Sequence, residues 1–138
     1  MKEVLFLCTH NSARSQMAEG LLRQLGGNRY EVRSAGTEKT LVRPQAIQVM
    51  SEIGIDISQQ QSKTLNQYVQ NTFDEVITVC DDANEACPVF PNAKSSRHWS
   101  FPDPSKATGT EEEQLAVYRS VRDAIKDRIE TELIGESN

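Results

Sequence analysis

Cys8-Thr9-His10-Asn11-Ser12-Ala13-Arg14-Ser15 decides how the whole chain is read. It follows an apolar run, Val4-Leu5-Phe6-Leu7, and precedes a helical pattern of Met17, Ala18, Leu21, Leu22 and Leu25. A buried strand is therefore expected to turn through a tight loop into a helix. The thiol opens the loop and the arginine closes it at the mouth of the helix. Backbone N–H groups from Thr9, His10, Asn11, Ser12, Ala13, Arg14 and Ser15, with the positive end of the helix dipole, then converge on one spot suited to an oxyanion. Arg14 adds a planar fork that matches a tetrahedral oxyanion better than an ammonium would. The same field favours the thiolate of Cys8, which makes it a nucleophile. Cys-x5-Arg alone arises by chance, and a cysteine ending a strand is often only buried. The strand before, the helix after and Ser15 behind Arg14 favour the catalytic reading.

Outward from this loop, strand and helix alternate. Strands are expected over 3–8, Tyr30 to Ser34, Phe73 to Cys80 and, more weakly, 94–99. The first helix should stop at Gly26-Gly27. A second should start at Pro44 and bury Ile47, Met50 and Ile53, and a short one is possible near Leu65 to Gln70. The last carries a capping-box pattern at Thr110 and Glu113, with Leu115, Tyr118, Val121, Ile125 and Ile129 on one face. Gly135 to Asn138 should fray. The economical architecture is one domain, residues 1–138, with a four-stranded parallel sheet in the order 2-1-3-4 and helices on both faces. Ligands sit beyond the carboxyl ends of such strands, and in this order Cys8 and Cys80 end neighbouring strands about 4.8 Å apart.

The third cysteine, Cys87, follows Cys80 by seven residues. A helical segment of that length spans about 10 Å, whereas a disulfide needs Cα atoms within about 7 Å. A Cys80–Cys87 bridge would therefore require the segment to bend or unwind, and Pro88 and its poorly apolar composition favour that. Composition alone would equally allow inert core thiols. The combination of a nucleophilic cysteine, a second at the neighbouring strand end and a third within its reach points to a thiol relay. In Phe101-Pro102-Asp103-Pro104 the flanking prolines fix where the carboxyl points. This is a surface turn by composition, but beyond a fourth strand it falls on the rim of Cys8, where Asp103 could protonate a leaving oxygen. His10 adds positive charge at the loop, and His98 beside Trp99 reads as structural.

The 138 residues carry 37% apolar and 25% charged side chains and a formal net charge of −5. That balance gives no general attraction to nucleic acid or anionic lipid. No apolar run reaches membrane-spanning length and no signal peptide is evident, so a cytoplasmic protein is expected. Three irregularly spaced cysteines are neither a secreted disulfide framework nor a zinc set, and no metal site is expected. Nothing suggests an obligate dimer, so a monomer is expected.

Cys8 to Ser15 with Gln16-Met17-Ala18-Glu19-Gly20 resembles the start of the thioredoxin-coupled arsenate reductases, which share the fold of the low-molecular-weight protein tyrosine phosphatases. The likeness continues through Ser34-Ala35-Gly36, Gly54-Ile55-Asp56-Ile57-Ser58, Val79-Cys80-Asp81, Cys87-Pro88, His98-Trp99, Asp103-Pro104 and Val121-Arg122-Asp123. It implies that arsenate, with phosphate or sulfate as competing oxyanions, binds in the loop with help from Arg14 and Ser15. It further implies that Cys8 attacks arsenic, that Asp103 protonates the leaving oxygen, and that oxidation passes to a Cys8–Cys80 and then a Cys80–Cys87 disulfide. Thioredoxin would reduce the latter, and Asn11 would brace the loop. Two departures stand out. Ala13 replaces a further cysteine of many members. Some members also bind potassium through residues matching Asn11, Glu19 and Ser34 plus an aspartate, and counting from Asp56-Ile57-Ser58 that aspartate is Lys63 here. The expectation is that the Lys63 ammonium pairs with Glu19 and replaces the ion. A phosphomonoester phosphatase, needing only Cys8, Arg14 and Asp103, is the competing function, and a non-catalytic oxyanion or redox sensor is a third.

Overall fold

A computed structural model describes residues 1–81 and 87–135 of the chain. Strand β1 (Lys2–Cys8) leads through the loop to helix α1 (Arg14–Gly26), and a 3-10 turn (Gly27–Arg29) precedes β2 (Tyr30–Gly36). Helix α2 (Pro44–Ser51), a 3-10 helix (Leu65–Tyr68), β3 (Phe73–Thr78) and β4 (Ala93–His98) follow. A 3-10 helix (Pro104–Lys106), α3 (Glu111–Arg128) and a π-helical stretch (Ile129–Ile134) complete the described chain. All strands pair in parallel in the order β2-β1-β3-β4.

Burial explains the order. Val4 to Cys8 are all buried, so β1 is apolar on both faces and takes a central place. The sequence of β4, Ala-Lys-Ser-Ser-Arg-His, is polar and largely exposed, which suits an edge. One face of the sheet, with Val4, Phe6, Cys8 and Ile77, packs against α1, α2 and α3. The other, with Leu5, Leu7 and Val76, is covered by Tyr68 of a 3-10 helix and by Phe90. Helices thus cover the two faces unequally.

Element bounds differ from expectation in small ways. β3 ends at Thr78, so Cys80 lies two residues beyond it, although Val79 N–H still donates to Leu7 O at 2.8 Å. Helix α2 starts at Pro44 as expected but buries Ala46, Val49 and Met50, while Ile53 is exposed. At α3, Thr110 Oγ1 accepts from Glu113 N and Glu113 Oε1 accepts from Thr110 N, both at 3.1 Å. The helix supposed between Cys80 and Cys87 falls on 82–86, and most of the frayed end on 136–138, outside the described residues.

The loop that carries Asp103 is anchored from behind. Glu132 accepts from Trp99 Nε1 at 3.2 Å and from Arg97 Nη1 at 3.3 Å and pairs with Arg128, whose guanidinium stacks 5.4 Å above the indole. Arg97 also pairs with the buried Glu75 of β3. Trp99, four residues before Asp103, is therefore tied to the C-terminal helix.

Candidate functional site

The loop after β1 is a cup of backbone donors. Asn11 takes a left-handed conformation, φ 48°, which turns its N–H onto Cys8 Sγ at 3.2 Å. Ser15 Oγ lies 2.8 Å from the same sulfur. The N-cap of α1 is Ala13, which makes no side-chain cap, so the orphan donors of the first turn remain available to an anion. Gly36 on β2 permits the close approach. A Cβ there would lie 2.7 Å from Thr9 O and 2.8 Å from Asn11 N.

A layer of polar side chains holds this backbone. Asn11 Nδ2 donates to Ser15 Oγ at 2.8 Å and to Ser34 Oγ at 3.0 Å. Its Oδ1 accepts from Gln16 Nε2 at 2.9 Å and from Lys63 N at 2.8 Å. Ser34 Oγ donates to Glu19 Oε1. Lys63 Nζ lies 3.7 Å from that same oxygen, as expected for the pair, and donates to Gln61 O at 2.7 Å. Burial pushes the Lys63 ammonium below its ordinary pKa, and the Glu19 carboxylate opposes that push. The other Glu19 oxygen, Oε2, accepts from Arg23 Nη2 at 2.6 Å.

Arg14 is 3% exposed; its Nη1 donates to Phe101 O at 3.1 Å, and Nη2 lies 3.7 Å from Asp103 Oδ2. Asp103 caps the 3-10 helix Pro104–Lys106, its Oδ1 accepting from Ser105 N at 2.9 Å and Ser105 Oγ at 2.7 Å. The loop carrying Asp103 and the loop after β1 thus face each other across a cavity of about 570 Å³ whose lining includes His10, Ser12, Arg43 and Asp103. The His10 imidazole is on the rim, its Nδ1 3.4 Å from a Glu38 carboxylate oxygen. Thr9 serves through its carbonyl, which accepts from Thr37 and Glu38 N–H groups, and Ser12 O accepts from Arg43 N at 2.9 Å.

Cys8 is a free, buried thiol, while Cys80 and Cys87 are bonded to each other with Cα atoms 6.0 Å apart. That separation is within the range a disulfide allows. Cys8 and Cys80 lie at the same end of adjacent strands. They belong to different faces, however. Val79 packs with the helix-side core, and Cys80 is joined to Cys87, which lines a cavity of about 420 Å³ with Val76, Thr78 and His98. His98 is fixed by its neighbour strand, its Nδ1 lying 2.6 Å from Thr78 Oγ1. Sequence reasoning missed the Phe101 carbonyl and Gln16 as braces. A backbone acceptor has no residue signature, and Gln16 reads as ordinary helix surface.

A free sulfur that accepts the Asn11 N–H at the start of a helix, with an arginine fork and a facing carboxyl, is the arrangement of enzymes that attack tetrahedral oxyanions through a thiolate. The comparisons agree. Residues 3–135 match the low molecular weight phosphotyrosine protein phosphatase family, and the chain belongs to it. It is 50% identical over 130 residues to an arsenate reductase of Halalkalibacterium halodurans, covering 94% of each chain. It is 46% identical over 128 residues to one of Bacillus subtilis, covering 93% of this chain and 92% of the relative. Among solved structures, an arsenate reductase in its oxidized state superposes over the full length of both chains with TM-score 0.82 and 37% identity. A thioredoxin-dependent arsenate reductase of Corynebacterium glutamicum gives 0.68 and 27% over all of this chain and 64% of that one.

Proposed function

We propose that the protein, read as one catalytic domain over residues 1–138, reduces arsenate to arsenite by a three-cysteine relay regenerated by thioredoxin. The observation that carries this reading is the pairing state of the thiols. Cys8 is free in the oxyanion cup while a Cys80–Cys87 disulfide stands at the same rim of the sheet, the distribution a completed relay leaves behind.

Arsenate enters the ring of N–H groups and Arg14 turns its fork onto it. The Cys8 thiolate attacks arsenic, an As–O bond breaks, and Asp103 gives its proton to the departing oxygen. Cys80 then attacks Cys8 Sγ. The S–As bond breaks toward arsenic, which leaves as arsenite with the electron pair, and Cys8–Cys80 is formed. Cys87 attacks Cys80 Sγ, frees Cys8 as thiolate and leaves the bond seen here. Each exchange is a thiolate displacement on sulfur. In this scheme Cys80 meets Cys8 Sγ in the first exchange and Cys87 in the second, and the structure holds the bond of the second.

Thioredoxin, or a related dithiol, then meets Cys87 first. Cys80 is fully buried whereas Cys87 is partly exposed beside the fully open Val89. Lys63 supplies the positive charge beside Glu19 that potassium supplies in some members. Among the described residues no helix is long and apolar enough to cross a membrane, and a reducing cytoplasm, in which a monomer meets arsenate and thioredoxin, suits reactive thiols. Nucleic acid and lipid are not expected partners of a chain with this net charge. Hydrolysis of aryl phosphates is a side reaction of the same cup, with water ending the cycle in place of Cys80. The defining experiment couples arsenate to oxidation of reduced thioredoxin. One arsenite per thioredoxin disulfide supports the reading, and arsenate-independent consumption or none contradicts it.

A further inference from the structure

Tyr118 of α3 is 1% exposed, and its hydroxyl has no hydrogen-bond partner among the described residues. Buried phenols nearly always find a partner. If Tyr118 served packing alone, phenylalanine would fill the same space without stranding an oxygen. Its surroundings supply a reason for that oxygen. Tyr118 shares an apolar cluster with Trp99 and Phe101, which lead into the acid loop, and α3 packs against the 3-10 helix Pro104–Lys106 that Asp103 caps. Burial raises the phenol's pKa, and two nearby charges act on it in opposite senses. The Arg43 guanidinium draws it down and the Asp103 carboxylate pushes it up. The group is therefore a neutral donor with one carboxylate in its neighbourhood.

Asp103 has a use for that donor. Ser105 holds Oδ1, while Oδ2 faces Arg14 Nη2 at 3.7 Å, beyond hydrogen-bond length. Arg43, His10 and Lys106 line the open side of the same cavity. When an oxyanion draws the Arg14 fork into the cup, Oδ2 loses its cation just as the carboxyl gives up its proton and becomes charged. We infer that Tyr118 is a positioning residue for Asp103, its hydroxyl donating a hydrogen bond to the Asp103 carboxylate once Arg14 has turned to the bound anion. The phenol keeps its proton throughout, and no bond other than the hydrogen bond is made.

This inference rests on Asp103 being the acid, and one set of proteins separates the two. Wild type, Tyr118→Phe, Asp103→Asn and the double variant are compared for kcat and KM with arsenate and with para-nitrophenyl phosphate, and for melting temperature. Tyr118→Phe should lower kcat about threefold to tenfold on both substrates with KM unchanged, and melt no lower than wild type, since it removes an unpaired oxygen. On the Asp103→Asn background the same change should cost nothing further. A wild-type kcat, a loss confined to KM, or an equal loss on both backgrounds would overturn the role of Tyr118. If Asp103→Asn alone left kcat intact, the acid assignment would fail and the inference with it.

Discussion

Arg14 and Asp103 face each other with both side chains buried, Nη2 to Oδ2 at 3.7 Å, across the mouth of the anion cup. The pair links the two loops on which the chemistry depends, and in this state each group occupies the other. An arriving oxyanion breaks that mutual hold, since it offers Arg14 a closer, bidentate acceptor. Asp103→Asn removes the acid while keeping the Ser105 contacts available to its carbonyl oxygen. The expected result is a kcat lower by about a hundredfold to a thousandfold, with KM within a few fold, on arsenate and aryl phosphate alike. Steady-state kinetics at constant pH check it.

Arg14→Lys keeps the charge and loses the planar fork and the bond to Phe101 O. Catalytic efficiency should fall at least about a hundredfold, a transition-state loss on the order of 3 kcal/mol. Phosphate should also protect the variant's Cys8 from alkylation less well than it protects wild type. Undiminished protection would remove Arg14 from the anion's contacts.

The ion pair of Lys63 with Glu19 stands one residue removed from the cup, since Ser34 and Asn11 connect Glu19 to Ser15 and Cys8. Turnover and melting temperature of the wild type should be equal in potassium and sodium at matched ionic strength. Lys63→Met should reduce turnover about fivefold by unbalancing this layer. A marked rise in wild-type activity with potassium would show that Lys63 does not replace the ion.

Most of the architecture was legible in sequence because the decisive signals are local. Continuous apolarity placed β1 in the centre, polar β4 belongs at an edge, and the Thr110–Glu113 box started α3 where the pattern put it. The cup was legible because its donors are consecutive. What escaped are relationships between segments far apart in the chain. Nothing local reveals that Phe101 offers its carbonyl to Arg14 or that Cys80 lies off the sheet face that carries Cys8. Ile53 was misread for a similar reason, because helix α2 ends before it and the periodicity no longer applies.

Glu132 gives a pH test of the scaffold. Burial raises its pKa, but the donors on Arg128, Trp99 and Arg97 outweigh that and hold it below the usual glutamate value. A carboxylate with a depressed folded-state pKa contributes stability above its unfolded value, near 4.5, and loses it as pH falls through the folded one. Glu132→Gln should therefore destabilise the protein by about 1 kcal/mol at pH 7. The gap from wild type should close below pH 4.5. Denaturant midpoints across pH measure it, and a pH-independent gap would mean that packing alone is involved.

The relay itself meets its most direct test in Cys80→Ser, assayed in parallel for arsenite production with thioredoxin and for hydrolysis of para-nitrophenyl phosphate. Hydrolysis reports an intact cup and a folded chain. The account predicts that arsenite production disappears while hydrolysis stays within about twofold of wild type. Retained arsenite production, or equal loss of both activities, would contradict it.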